Sequence, residues 1–101
     1  MRRASTPLHE FEIPIDPTTI SKIKLTYSQD DKIVLEKSKD DLTNTGDEWW
    51  RIELTQEETN LFKSDLAEVQ IRVLTNEGKS IPSQIMKIYV GPVLNDEVMT
   101  L

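Results

Sequence analysis

The chain has no cysteine, a single histidine, three glycines and no long apolar run. Each scarcity closes off a class of protein. Without cysteine there is no disulfide framework, no thiolate nucleophile and no zinc–thiolate site. Three scattered glycines cannot build a loop that cradles phosphate. The one histidine, His9, is near Ser5 and Glu10 only along an extended stretch, and such adjacency is not the geometry of a catalytic triad. His9 therefore reads as a surface or arm-packing residue. No stretch approaches the roughly 18 apolar residues that span a bilayer. Residues 1–10 hold two arginines with no apolar core behind them, so they do not read as a secretory signal. Positive charge is also short: 12 Lys and Arg face 18 Asp and Glu, a net charge of −6. Acidic pairs at Asp30-Asp31, Asp40-Asp41, Asp47-Glu48, Glu57-Glu58 and Asp96-Glu97 would repel a phosphate backbone. The reading expects no nucleic-acid and no membrane partner. Arg2-Arg3 is taken as a solvated start of chain.

What is present is period-two alternation. Ile23, Leu25 and Tyr27 alternate with Lys22, Lys24 and Thr26; Trp50, Ile52 and Leu54 alternate with Arg51, Glu53 and Thr55; Val69, Ile71 and Val73 alternate with Gln70 and Arg72. A strand sends successive side chains to opposite faces, so each run has one buried and one wet face. At 101 residues the chain supports one domain with one modest core. Six or seven such strands, with turn signals between them, predict an all-β, immunoglobulin-like antiparallel β-sandwich. The Cys…Trp…Cys signature of antibody domains is missing, so the likeness is one of architecture.

The pattern divides the chain into an N-terminal arm (1–8), a sandwich domain (9–91) and a C-terminal tail (92–101). Strands are expected at 9–13, with Phe11 and Ile13 on one face, and at 20–28, 33–37, 49–54, 66–75 and 80–90. Pro14 and Pro17 mark an edge or crossover. Residues 40–48, rich in Asp, Asn, Thr and Gly, read as a loop with a tight turn at Thr45-Gly46-Asp47. Thr55 followed three residues later by Glu58 is a capping-box pattern and places a short helical turn near 56–63. Asn76-Glu77-Gly78-Lys79 is a hairpin turn in which Gly78 can take positive φ.

No group of side chains specifies a reaction. Carboxylates adjacent on a strand point apart, and loop pairs are solvated, so no glycosidase pair is expected. Asp40, Asp41, Asn44 and Asp47 form the densest oxygen cluster, but without the Asp-x-Asp-x-Asp spacing of a calcium loop they read as solubilising charge. The reading assigns no catalytic, cofactor or metal-binding residue and expects no enzyme. Trp49-Trp50 is more informative. Adjacent residues face opposite ways, so Trp50 joins the core and Trp49 lies outside. There it is covered by the chain itself, meets a protein partner, or stacks on a sugar. Both tyrosines are expected to pack with their hydroxyls at the rim. The tail carries Val93, Leu94, Val98, Met99 and Leu101, which dock on this domain or on a neighbouring subunit. Trp49, Phe11, Tyr89, Val98 and Met99 are the candidate contact residues.

Several segments, in order along nearly the whole chain, resemble a family of small proteins from phages and prophages of Gram-positive bacteria. They are Met1-Arg2-Arg3 with Thr6-Pro7 and His9-x-Phe11, Leu54-Thr55-Gln56-Glu57-Glu58-Thr59 with Phe62, Val69-Gln70-Ile71-Arg72-Val73, and Asp96-Glu97-Val98-Met99. The resemblance implies an immunoglobulin-like sandwich from a phage structural module, related to the N-terminal domain of baseplate upper proteins. It carries over no catalytic residue. It implies contacts with copies of itself or other particle proteins, in the host cytoplasm during assembly and then in the virion. A carbohydrate-binding module with Trp49 as its platform is the alternative.

Overall fold

The computed structural model describes residues 1–101. Eight strands form two antiparallel sheets packed face to face. The strands are β1 (Leu8–Glu12), β2 (Ile20–Gln29), β3 (Lys32–Ser38), β4 (Thr43–Gly46), β5 (Trp49–Glu53), β6 (Leu66–Thr75), β7 (Ser80–Pro82) and β8 (Met86–Tyr89). One sheet has the order β1-β5-β4; the other has β3-β2-β6, with β7 and β8 both on the far side of β6. These are the B-E-D and C′-C-F-G sheets of the immunoglobulin order, without the first strand. The expected all-β sandwich is the fold. Met1–Leu101 Cα atoms span 47 × 33 × 15 Å, a slab whose thin dimension fits two layers about 10 Å apart.

The alternating runs supply the core. Ile23, Leu25 and Tyr27 of β2 and Ala67, Val69, Ile71 and Val73 of β6 turn inward, against Trp50 and Ile52 of β5, with Ile13, Ile20, Leu54, Phe62 and Val90 closing the edges. Burying an aliphatic side chain contributes about 1.5–3 kcal/mol. The Trp50 indole N–H has no hydrogen-bond partner. Leaving it so costs about 1–3 kcal/mol, less than burial of the roughly 200 Å² of a Trp returns at about 25 cal/mol per Å².

Local chemistry sets the connections. Asp30 and Asp31 both take positive φ (52° and 61°) between the paired residues Gln29 and Lys32, the two-residue hairpin geometry that matches strand twist. Gly78 sits at φ 86° in the β6–β7 turn, as expected. Asp16 caps the 3-10 turn Pro17–Thr19 by accepting from the Thr18 N–H at 3.0 Å. The capping box is formed in both directions: the Glu58 N–H donates to Thr55 Oγ1 at 3.1 Å, and the Thr55 N–H donates to Glu58 Oε1 at 2.9 Å. It starts helix α1 (Gln56–Thr59), which crosses between the sheets.

Two expectations about strands are corrected. Residues 40–48 are not one loop: after a 3-10 turn at Lys39–Asp41, residues Thr43–Gly46 pair with β5 as an exposed edge strand. Its short polar side chains carry no alternation, so only the pairing reveals it. Residues 80–90 are not one strand. Pro82 has no ladder N–H, and after it the chain leaves the ladder: the Ser83 N–H and Oγ bond Ile71 instead, at 2.7 and 3.0 Å. The strand resumes at Met86. These two changes bring the count to eight.

Candidate contact surface

The five candidate residues occupy different parts of the slab. Trp49 begins β5, opposite Glu12 and Gly46, on the outer face of the three-stranded sheet, and is 44% exposed. Trp50 is buried behind it. Tyr89, 59% exposed, is on the outer face of the other sheet, in register with exposed Leu66. Those two aromatics therefore look out from opposite sides. Phe11 points inward; it is half-buried, packed on the core, and edge-on to His9 with ring centroids 6.3 Å apart. Together with His9, Met86 and Ile88 it lines a shallow opening of about 410 Å³ between β1 and β8. Val98 and Met99 belong to the tail.

Arm and tail are both fastened to the domain. Arg2 bridges Gly91 in parallel. The Arg3 N–H donates to Gly91 O at 3.1 Å, and the Gly91 N–H donates to Met1 O at 2.7 Å. Arg3 Nη2 meets Asp96 Oδ2 at 2.9 Å, so this arginine is an anchor for the tail rather than free charge. The Ser5 N–H donates to Thr59 Oγ1, which donates back to Ser5 O, at 3.1 and 3.0 Å. On the same helix, Gln56 holds the Met99 backbone at both its N–H and C=O, and Asn60 donates to Asp96 O. Val98 is half-buried there, while the Met99 side chain stays 76% exposed. Helix α1 thus carries both ends of the chain on one scaffold.

Two sequence-based assignments of single side chains change. Tyr27 is fully buried, not at the rim, and its hydroxyl meets His9 Nδ1 at 2.6 Å. His9 comes from β1 and Tyr27 from β2, so this bond ties one sheet to the other rather than serving the surface or the arm. The Tyr27 ring stands edge-on to Phe62, with centroids 5.7 Å apart. Burial pushes the tyrosine pKa up, with the Glu58 charge adding to it, so the phenol stays protonated beside the imidazole. Burial holds the His9 pKa below its ordinary value. The unfolded chain then binds the extra proton first. Stability is full above about pH 6.5 and falls as the pH drops from there through the folded pKa. Thermal midpoints between pH 8 and pH 5 should show this fall, and His9→Gln should flatten it. An unchanged slope in that variant would place the titration elsewhere.

Charge is divided between the two broad faces. On the five-stranded sheet, register sends Lys22 and Lys24 of β2, Arg72 of β6 and Lys87 of β8 outward, against Glu36 and Glu68. Lys24 and Arg72 are direct cross-strand partners. On the three-stranded sheet, Glu10 and Glu12 of β1 and Glu53 of β5 face outward against Arg51 alone. An acidic protein therefore has one basic face. Sequence reasoning missed it because net charge sums over both sides. The signal was present in the polar positions of the alternating runs, which are the positions that must share an outer face.

In the 40–48 segment the Asp41 carboxylate and the Asn44 amide serve turns. Asp41 Oδ2 accepts from the Ser38 N–H and hydroxyl, at 2.8 and 3.2 Å, and the first of these bonds does most to hold its pKa below the ordinary value. Asn44 donates to Asp47 O and Trp49 O across the β4–β5 turn. No helix is long and apolar enough to cross a membrane. Comparison with family models, curated proteins and solved structures finds no match in any of the three.

Proposed function

We propose that this chain is a non-enzymatic structural component of a phage or prophage particle, associated with the tail or baseplate, and that it acts through protein–protein contacts. The observation that carries the reading is where the large apolar side chains lie. Trp49, Tyr89, Leu66, Ile85 and Met99 are exposed on sheet faces, on an edge and on the tail, outside any enclosed cleft. Exposed apolar side chains outside a cleft are open to a protein surface, whereas small-molecule sites are concave. The fastened arm and tail support it, because the bonds to Asp96 and Met99 hold that stretch of the tail on the domain and reduce the ordering cost of binding. The sequence resemblance to small phage proteins points the same way. An antibody raised against the chain should decorate the tail end of particles released by the bacterium that encodes it. Washed particles that contain none of the chain by mass spectrometry would sink the proposal.

Trp49 favours a second reading as a carbohydrate-binding module, since its exposed indole stands on the outer face near Asn44 and Arg51. That reading expects Trp49→Ala to abolish glycan binding while the thermal midpoint moves by only a few degrees. In the favoured reading no glycan is retained by the wild type at millimolar concentration.

A further inference from the structure

The charge division points to a specific partner for each broad face. We infer that the basic face of the five-stranded sheet receives the acidic face of the three-stranded sheet of a second copy of this chain, so that copies stack head to tail. The inference rests on the structural role proposed above and specifies the joint.

Three observations meet here. Lys24 and Arg72 face each other across β2 and β6 and neither forms an ion pair, with Glu36 the one carboxylate lining the same shallow depression. Like charges directly opposite on a sheet repel, so this pair is held at a cost that a carboxylate from outside would relieve. The other face offers Glu10, Glu12 and Glu53. Second, each face carries an exposed apolar anchor among its charges: Tyr89 and Leu66 on the basic side, Trp49 and Leu8 on the acidic side. Aromatic anchors within a polar surround are the usual carriers of interface energy. Third, the slab is broad and thin, 47 × 33 × 15 Å. Its broad faces are therefore the surfaces on which a second copy buries the most area.

The two surfaces differ, so the joint is heterologous. A heterologous contact does not stop at two copies; it closes into a ring or grows as a filament, depending on the rotation per step. The net charge of −6 opposes approach at long range. At about 0.15 M salt that repulsion is screened beyond roughly 8 Å, while charges in contact across the joint remain paired.

The experiment is sedimentation velocity on the full chain and two charge-reversed variants at about 0.15 M salt. Lys24→Glu with Arg72→Glu makes both faces acidic; Glu10→Lys with Glu53→Lys makes both basic. All four positions are on exposed outer faces, and melts establish that the variants fold. If a pair unfolds, Lys22→Glu or Glu12→Lys replaces it. Wild type should show an average mass that rises with concentration past that of two chains. Each variant alone should lose at least about tenfold in association constant, and an equimolar mixture should recover it by alternating the two. A wild type that stays monomeric, a species that stops at two copies, or variants that associate like wild type would overturn the stacking. The particle-labelling result is independent of all of these. Stacking can therefore fail while the particle role stands, and association that ignores the reversals would show copies joined by some other surface.

Discussion

Phe62→Ala should be among the most damaging single substitutions in the chain, lowering stability by about 3–5 kcal/mol. Phe62 is 2% exposed and lies just past helix α1, with its ring edge-on to Tyr27. Its removal leaves a cavity at the centre of the contact between the helical turn and β2, and it takes packing from the ring whose hydroxyl joins the sheets. For a domain of this size the loss corresponds to a fall of more than about 12 °C in midpoint. Leu61→Ala is the control. Leu61 is adjacent but 59% exposed, so its truncation should change stability by no more than about 0.5 kcal/mol. Urea melts of the two variants measure the contrast directly. Equal effects would mean that the turn after α1 does not direct Phe62 inward.

Glu58→Gln should follow, with a loss of about 1–3 kcal/mol. The Glu58 carboxylate does two jobs. It closes the capping box on the Thr55 N–H, and it pairs with Lys37 of β3, with both side chains about one-fifth exposed or less. The amide can still accept from Thr55, so the loss comes mainly from an ammonium left without its counter-ion in a largely desolvated place. Lys37→Met combined with Glu58→Gln should recover part of the loss, because it removes the stranded charge as well. Burial opposes ionisation of Glu58, but Lys37 and the Thr55 N–H together hold its pKa below the ordinary value. Its contribution is therefore present above the unfolded pKa and is lost as the pH falls through the folded one. That acid limb should shrink in Glu58→Gln, while the His9 limb at higher pH remains. A double-mutant cycle that finds no coupling between residues 37 and 58 would remove the ion pair from the account.

The long strands were legible because their two faces differ. β2 and β6 bury alternate residues over most of their length and leave mainly polar side chains outside, and the helical turn announced itself through Thr55 and Glu58. β4 was not legible, since Thr43-Asn44-Thr45-Gly46 is exposed throughout and the strand exists only by pairing with β5. The break in residues 80–90 was half legible: Pro82 signalled an irregularity, but not that Ser83 would take over the bonds to Ile71. Side-chain roles divided in the same way. The opposite exposure of Trp49 and Trp50 follows from strand geometry alone. The His9–Tyr27 bond joins residues of different sheets, and no local pattern encodes which side chains meet across a sandwich. Phe11 shares its face with Ile13, as the alternation predicts, yet that face is the inner one, so its apolar surface is largely spent on the core.

The parallel bridge between Arg2 and Gly91 gives the fold a mechanical property. Two segments that run the same way side by side, with the chain entering at one and leaving at the other, slide past each other when the ends are pulled. The bonds of Met1 and Arg3 to Gly91, the Arg2 guanidinium on Pro92 O at 2.7 Å and the Arg3–Asp96 pair would then be loaded together in shear. An antiparallel edge pulled from one end unzips bond by bond at much lower force. Tension transmitted through this domain would load the Gln56–Met99 and Asn60–Asp96 bonds at the C-terminal end first, and then the clamp of residues 1–3 on 91–96.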